Sequence, residues 1–293
     1  MPQGELFIHV GPAGWSYPDW KGVFYPPDMP RAMHPLRMVA ALFDLVEINV
    51  TFYRAVAVGH AEAWLRAVAD KPRFVFTVKL WERCTHERGA WPGADELRRW
   101  RDGVAPLAEA GKLGAVLAQF PWSFRRTPEN RARIARIADA FPDWPLAVEL
   151  RHASWDRPEL FDGLRKRGIA FCNIDQPLFQ DSIGPAAHAT APFAYIRLHG
   201  RNRGAWFRED ASRDDRYNYL YSADELQSWI ERVERMKRSV TRFFIVANNH
   251  YRAQAIVNAL EIQAALGKIP PAGCIPQGLI AAYPRLSNLL REP

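Results

Sequence analysis

Several strand-like stretches of the sequence end on chemically active side chains spaced two residues apart. Glu47 and Asn49 close Leu45–Asn49, Thr77 and Lys79 close Arg73–Lys79, and Glu149 lies near the end of Leu146–Leu150 with Arg151 just beyond. Tyr195, Arg197 and His199 share one face of Phe193–His199, because Ala194, Ile196 and Leu198 occupy the other. Side chains alternate faces along a strand, and the helix-covered face of a parallel sheet must be apolar. The polar sets are therefore expected on the opposite face, joined there by Gln119, Asn173, Asp175 and Asn248, with His9 following from the first strand. The collection holds carboxylates suited to taking a proton, Glu47 and Glu149, and groups suited to holding an anion, Lys79, Arg197 and His199. Charges buried together shift one another's proton affinity, which is what acid–base catalysis requires.

The elements that must position these groups are short apolar runs alternating with amphipathic helices. Strands are expected at Leu6–Val10, Leu45–Asn49, Arg73–Lys79, Ala115–Phe120, Leu146–Leu150, Ile169–Ile174, Phe193–His199 and Arg242–Asn248. Helices are expected at Pro35–Phe43, His60–Ala69, Asp95–Glu109, Pro128–Ala140, Pro158–Arg167, Ala223–Lys237 and Ala253–Leu266. Thr127-Pro128 offers a cap and a first-turn proline, and Gly168 a helix stop. Eight strands in strict alternation with helices predict one α/β domain over residues 1–293, a TIM-barrel-like (β/α)8 fold. The unit after the sixth strand is irregular, the loop after the seventh is long, and residues 270–293 form a C-terminal packing tail. In such barrels the C-terminal strand ends, where the polar residues cluster, carry the active site.

Composition narrows the class. Of the 293 residues 48% are hydrophobic and 24% charged, which excludes disorder, collagen and coiled coil. Apolar runs such as Phe243–Ala247 fall far short of the ~20 residues that span a bilayer, and Met1–Val10 lacks the pattern of a secretory signal. Cys84, Cys172 and Cys274 stand in no metal or redox spacing, which points to a reducing, cytoplasmic setting. Cys172 is expected on the helix-facing side of its strand. The formal net charge of +7 favours phosphates or other acidic partners. The segment from Gly200 to Tyr221 interleaves Arg201, Arg203, Arg208, Arg213 and Arg216 with Trp206, Phe207, Tyr217, Tyr219 and Tyr221, as a lid or a phosphate- and base-binding surface would.

A series of ordered motifs goes further. Gly14-Trp15-Ser16-Tyr17 with Trp20, Val46-Glu47-Ile48-Asn49 with Thr51-Phe52-Tyr53, and Phe76-Thr77-Val78-Lys79 with Thr85-His86 come first. Leu117-Ala118-Gln119-Phe120-Pro121, Val148-Glu149-Leu150-Arg151-His152 with Ser154-Trp155, and Arg197-Leu198-His199-Gly200-Arg201 follow. Tyr219-Leu220-Tyr221-Ser222 and Asn248-Asn249-His250 end the series. The sequence resembles the YecE-like family, domain of unknown function 72, over most of its length. The resemblance implies a TIM-barrel-like fold, related in shape to endonuclease IV and the xylose isomerases, and no established activity.

The leading expectation is a metal-independent acid–base enzyme for a small anionic or phosphorylated substrate. Glu149 or Glu47 would be the base, Lys79, Arg197 and His199 would hold the anion, and Trp15 and Tyr53 would stack on an apolar face of the substrate. Tyr17, Asn49, Gln119, Arg151, Trp155, Asp175, Arg201, Tyr217, Asn248 and Asn249 complete the expected binding residues. One alternative is a divalent-metal barrel with Glu149, Asp175 and His199 as ligands. Another is a nucleic-acid-binding or repair-type protein with an endonuclease IV-like barrel.

Overall fold

Eight parallel strands follow one another around a barrel in the order β1-β8-β7-β6-β5-β4-β3-β2. They are β1 (Phe7–Pro12), β2 (Leu45–Ile48), β3 (Val75–Lys79), β4 (Leu113–Gln119), β5 (Leu146–Glu149), β6 (Ala170–Asp175), β7 (Phe193–Leu198) and β8 (Arg242–Ala247). The structure is a computed structural model and describes residues 5–290 apart from 31, 88, 90, 207, 269, 271 and 272. Phe207 and parts of the 270–293 tail therefore lie outside the described residues.

The barrel closes at a seam between β1 and β2. There Ala13 bridges to Glu47, Gly14 N–H donates to the Glu47 carbonyl at 2.8 Å, and Val10 N–H donates to the Asp44 carboxylate at 3.1 Å. A side chain at Gly11 would place its Cβ 1.9 Å from the Leu45 carbonyl oxygen, so only glycine lets these strands approach.

Helices cover the outside as their sequence patterns require. Leu226, Trp229, Ile230, Val233 and Met236 recur at helical spacing on Ala223–Met236 and are all buried. Ser222 caps that helix and Glu225 returns a bond to the Ser222 N–H, satisfying two otherwise orphaned donors. Thr127 caps Pro128–Ala140, and Gly168 ends Pro158–Arg167 with φ 65°. Among the described residues no helix is long and apolar enough to cross a membrane.

Inside the barrel, the lower layers are solid. Leu45, Ala115, Leu117, Ala147, Phe193, Phe244 and Val246 pack there, and the His9 ring stacks on Phe244 at 5.7 Å, well below the mouth. Above this plug, at the C-terminal strand ends, the barrel opens into a cavity.

One strand reverses the expected parity. Cys172 and Ile174 of β6 face the barrel interior, while Asn173 and Asp175 face outward. The outer side of β6 is covered by the irregular segment before β7 and by Ala223–Met236, and these supply polar partners. Asn173 exchanges hydrogen bonds with the His188 backbone at 2.8 and 3.0 Å. Asp175 accepts from Trp229 Nε1 at 2.6 Å, from Tyr221 and from Arg201. A polar residue met by such donors can occupy a helix-facing position.

The loop after β7 also differs from a structureless stretch. It contains the short helices Arg203–Trp206 and Arg213–Tyr217. The tail packs on the last long helix, Gln254–Ala265, through the segment Pro284–Leu290, with Leu286 buried and Arg285 paired to Glu261. A Cβ at Gly278 would lie 2.8 Å from the carbonyls of Gly22 and Val23, which fixes the tail against the first loop.

Candidate active site at the barrel mouth

Arg197 organises the mouth. Its Nη2 donates to Glu47 Oε1 at 2.7 Å and its Nη1 to Glu149 Oε2 at 2.5 Å, so one guanidinium bridges carboxylates from opposite sides of the barrel. The Tyr195 hydroxyl lies 2.8 Å from Glu47 Oε2 and 2.7 Å from Thr77 Oγ1. Because a carboxylate only accepts, Tyr195 donates to Glu47 and receives the Thr77 proton. Arg151 grips Glu149 Oε1 with Nε at 2.8 Å and Nη2 at 2.7 Å. His199 Nε2 stands 3.2 Å from that same oxygen, and Asn248 Nδ2 stands 2.9 Å from His199 Nδ1. The same Nε2 lies 3.2 Å from Arg151 Nη2 and 3.4 Å from Arg197 Nη1, so the ring sits among the carboxylate and both of its arginine partners.

These contacts set the charge states. Burial alone would raise the Glu149 carboxyl, but Arg197, Arg151 and His199 override it and hold it well below the usual carboxylate range. Burial pushes His199 down to about 3, so the ring is neutral. Burial, followed by the Glu149 charge, pushes the inward Cys172 thiol well above its ordinary value, which makes it inert.

Lys79 stands apart from this network. Among the described residues its ammonium has no hydrogen bond or ion pair, and it sits 3.7 Å over the Phe52 ring. Burial pushes it down to about 7, aided by Arg197 and Arg151 and opposed by Glu149 and Glu47. Arg151 Nη1 is also unengaged among the described residues, as is the buried Arg197 Nε.

A cavity of about 360 Å³ opens directly over these groups. Lys79, Arg151, Arg197, Gln119, Asn49 and Asn248 form its polar floor. Trp15, Tyr17, Tyr53 and Tyr217 form an aromatic wall, of which Tyr53 is 64% exposed at the lip. The wall is held from behind. Tyr17 donates to the Ala13 carbonyl at 2.6 Å and stacks on His250 at 4.4 Å, while Trp20 Nε1 donates to the His250 carbonyl at 2.7 Å. The loops after β1 and β8 thus fix each other.

A family model described as "DUF72: Protein of unknown function DUF72" matches residues 9–277. The chain belongs to this family. It is 27% identical over 268 residues to UPF0759 protein YunF of Bacillus subtilis (strain 168), across 87% of this chain and 93% of that protein. The crystal structure of a DUF72 family protein from Thermotoga maritima MSB8 superposes with a TM-score of 0.79 at 34% identity, covering 89% of this chain and 99% of that one. A DUF72 family protein from Enterococcus faecalis V583 gives 0.77 at 25% identity, covering 89% and 96%. Membership of DUF72 agrees with the YecE-like motifs and with the barrel, and assigns no substrate.

Against the residues expected from sequence, the mouth of this DUF72 barrel brings together Glu47, Asn49, Lys79, Gln119, Glu149, Arg151, Arg197, His199 and Asn248, with Trp15, Tyr17, Tyr53 and Tyr217 around them. Four expected binding residues lie elsewhere. Asp175 is on the outer face of β6, and Arg201 is spent on Asp175 and Glu225. Trp155 is buried against Phe124 and donates to its carbonyl at 2.6 Å. Asn249 turns away to Tyr219 and Asn258. With Asp175 facing outward, the set Glu149, Asp175 and His199 does not converge, and among the described residues no group of three or more His, Cys, Asp or Glu is placed to hold a metal ion.

Three residues outside the expected set matter. Phe52 forms the seat under Lys79, and His250 backs Tyr17 and lines the cavity. His86 stands edge-on to Phe52 at 4.8 Å and 3.5 Å from the Gln119 amide, pushed down to about 4 by burial and by Lys79. Each lies inside one of the ordered motifs of the sequence and outside the inward strand positions.

Proposed function

We propose that the barrel mouth binds a small anionic substrate and performs acid–base chemistry on it without a metal, with Lys79 as the titrating group. The observation that carries this is the pair of unspent cationic groups facing one cavity, the Lys79 amine and the Arg151 Nη1 edge. A network that served only to plug the barrel would pair these groups with the carboxylates beside them, whereas both residues line the cavity. The base passes from Glu149 and Glu47 to Lys79, because both carboxylates are saturated by arginine and tyrosine. A base whose proton affinity lies near neutral pH is the more effective one.

The nucleic-acid reading finds less support in the long loop. Arg201 pairs with Asp175 and Glu225, Arg208 pairs with Asp210, and Arg216 donates to the Arg208 carbonyl. Ligand-observed NMR against small carboxylates and phosphate esters tests the proposal. Binding that weakens at least tenfold in Arg151→Met supports it. Absence of binding to every anion, or equal binding by the variant, removes it.

A further inference from the structure

We propose that Lys79 is a nucleophile that condenses with the carbonyl group of a small oxo acid, whose carboxylate is held by Arg151. This rests on the reading of the mouth as an anion site and names its substrate class.

Glu47 and Glu149 are close enough to Lys79 to favour its charged form, yet neither binds it, because Arg197 bridges them and Arg151 takes the remaining Glu149 oxygen. An amine used only as an anion clamp works best fully charged, and a carboxylate partner would keep it so. Here the carboxylates go to arginines, which cannot lose their protons, and the one cation that can is placed on an aromatic ring. Desolvation beside other cations is how proteins make an amine nucleophilic. With its proton affinity lowered to about 7, a substantial share of the amine is free base at neutral pH.

The geometry supplies the rest. The cavity of about 360 Å³ is at the small end of ligand sites and suits a compact acid. Arg151 and Lys79 both line it, so one molecule carrying a carboxylate and a carbonyl can address both. In the step, the Nζ lone pair attacks the carbonyl carbon and the C=O electron pair moves to oxygen. The oxygen departs as water with the two amine hydrogens, leaving a C=N bond. Protonation of that nitrogen from solvent gives a cation, which the fields of Glu149 and Glu47 favour and which burial, Arg197 and Arg151 oppose.

The test is reductive trapping. Wild-type protein is incubated with glyoxylate or pyruvate and sodium cyanoborohydride, then digested and mapped by mass spectrometry. The expected result is a reduced adduct on the Lys79 peptide, at least tenfold above any other lysine. It should be absent in Lys79→Arg and slowed at least fivefold in Arg151→Met, both checked for folding by thermal melting. Adduct spread evenly over surface lysines, or none at all, overturns the proposal. Ligand-observed NMR on the same samples separates the two levels. Binding of the oxo acid without adduct defeats only the imine step, and lack of binding defeats the anion site beneath it.

Discussion

Two buried ion networks lie on opposite faces of adjacent strands. On the outer face of β6, Asp175 is met by Arg201 through both oxygens, by Tyr221 and by Trp229, and Arg201 in turn pairs with Glu225. Each Asp175 oxygen accepts two hydrogen bonds, and the cluster ties the loop after β7 to Ala223–Met236. Gly200 helps, with φ 87° and its N–H donating to Tyr221. On the inner face, Glu47, Glu149, Arg197, Arg151 and His199 form a comparable network, yet Lys79 and one edge of Arg151 remain open beneath a cavity. Burial of charge alone therefore does not mark a site. Unspent valence facing open space does.

The strongest way to break this comparison is to unmake each network. Arg197→Met leaves two buried carboxylates uncompensated and should lower stability by about 3–5 kcal/mol, as removal of one member of a buried pair does. Asp175→Asn should cost about 2 kcal/mol through weakened charged hydrogen bonds while leaving anion affinity unchanged. Urea denaturation with a parallel binding titration checks both. Loss of anion binding in folded Asp175→Asn would erase the distinction between the faces.

A smaller effect separates function from stability. The folded Lys79 amine gives up its proton near pH 7, whereas an unfolded lysine keeps it to its ordinary value of 10.5. Between those values the unfolded chain binds the extra proton, so stability rises with pH across the window and the penalty is full at pH 7 and below. Lys79→Met should therefore be more stable than wild type at pH 7, by about 1–2 kcal/mol after allowance for partial exposure. The gap should shrink towards pH 10 in thermal melts, and a destabilised variant at pH 7 would contradict the account.

Acid acts in the same direction through histidine. His199 at about 3 and His86 at about 4 stay neutral in the fold while the unfolded chain protonates both below 6.5. Stability should fall as pH drops from 6.5 towards 4, by roughly 1.4 kcal/mol per pH unit for the fully buried His199 and by less for the part-exposed His86. Urea midpoints at pH 6.5, 5.5 and 4.5 measure this slope, and His199→Gln should remove the largest single share of it. A flat profile would mean that the inner network tolerates a charged ring.

Much of the mouth was legible because β2, β5 and β7 obey one rule. Val46, Ile48, Ala194 and Ile196 face the helices, so Glu47, Arg197 and His199 had to face inward. That rule fails on β6, where the donors that satisfy Asn173 and Asp175 come from His188, Arg201, Tyr221 and Trp229, up to 54 residues away. Trp155 misled for a related reason, since a ring near a charged motif can serve packing alone. Helices of four or five residues such as Arg203–Trp206 and Arg213–Tyr217 are too short to show a period. Strand parity names a face, but it does not say whether a side chain there finds a partner. The isolation of Lys79 on Phe52 is visible only in three dimensions.

The most direct measurement follows the Lys79 amine itself. The chain holds seven lysines, so a sample with 13C-labelled lysine ε-carbons gives few enough NMR signals to assign by Lys79→Arg. One resonance should titrate near pH 7 and move to higher pH when a saturating small carboxylate is added. A Lys79 resonance that holds its proton to pH 10, with or without the anion, would contradict the account.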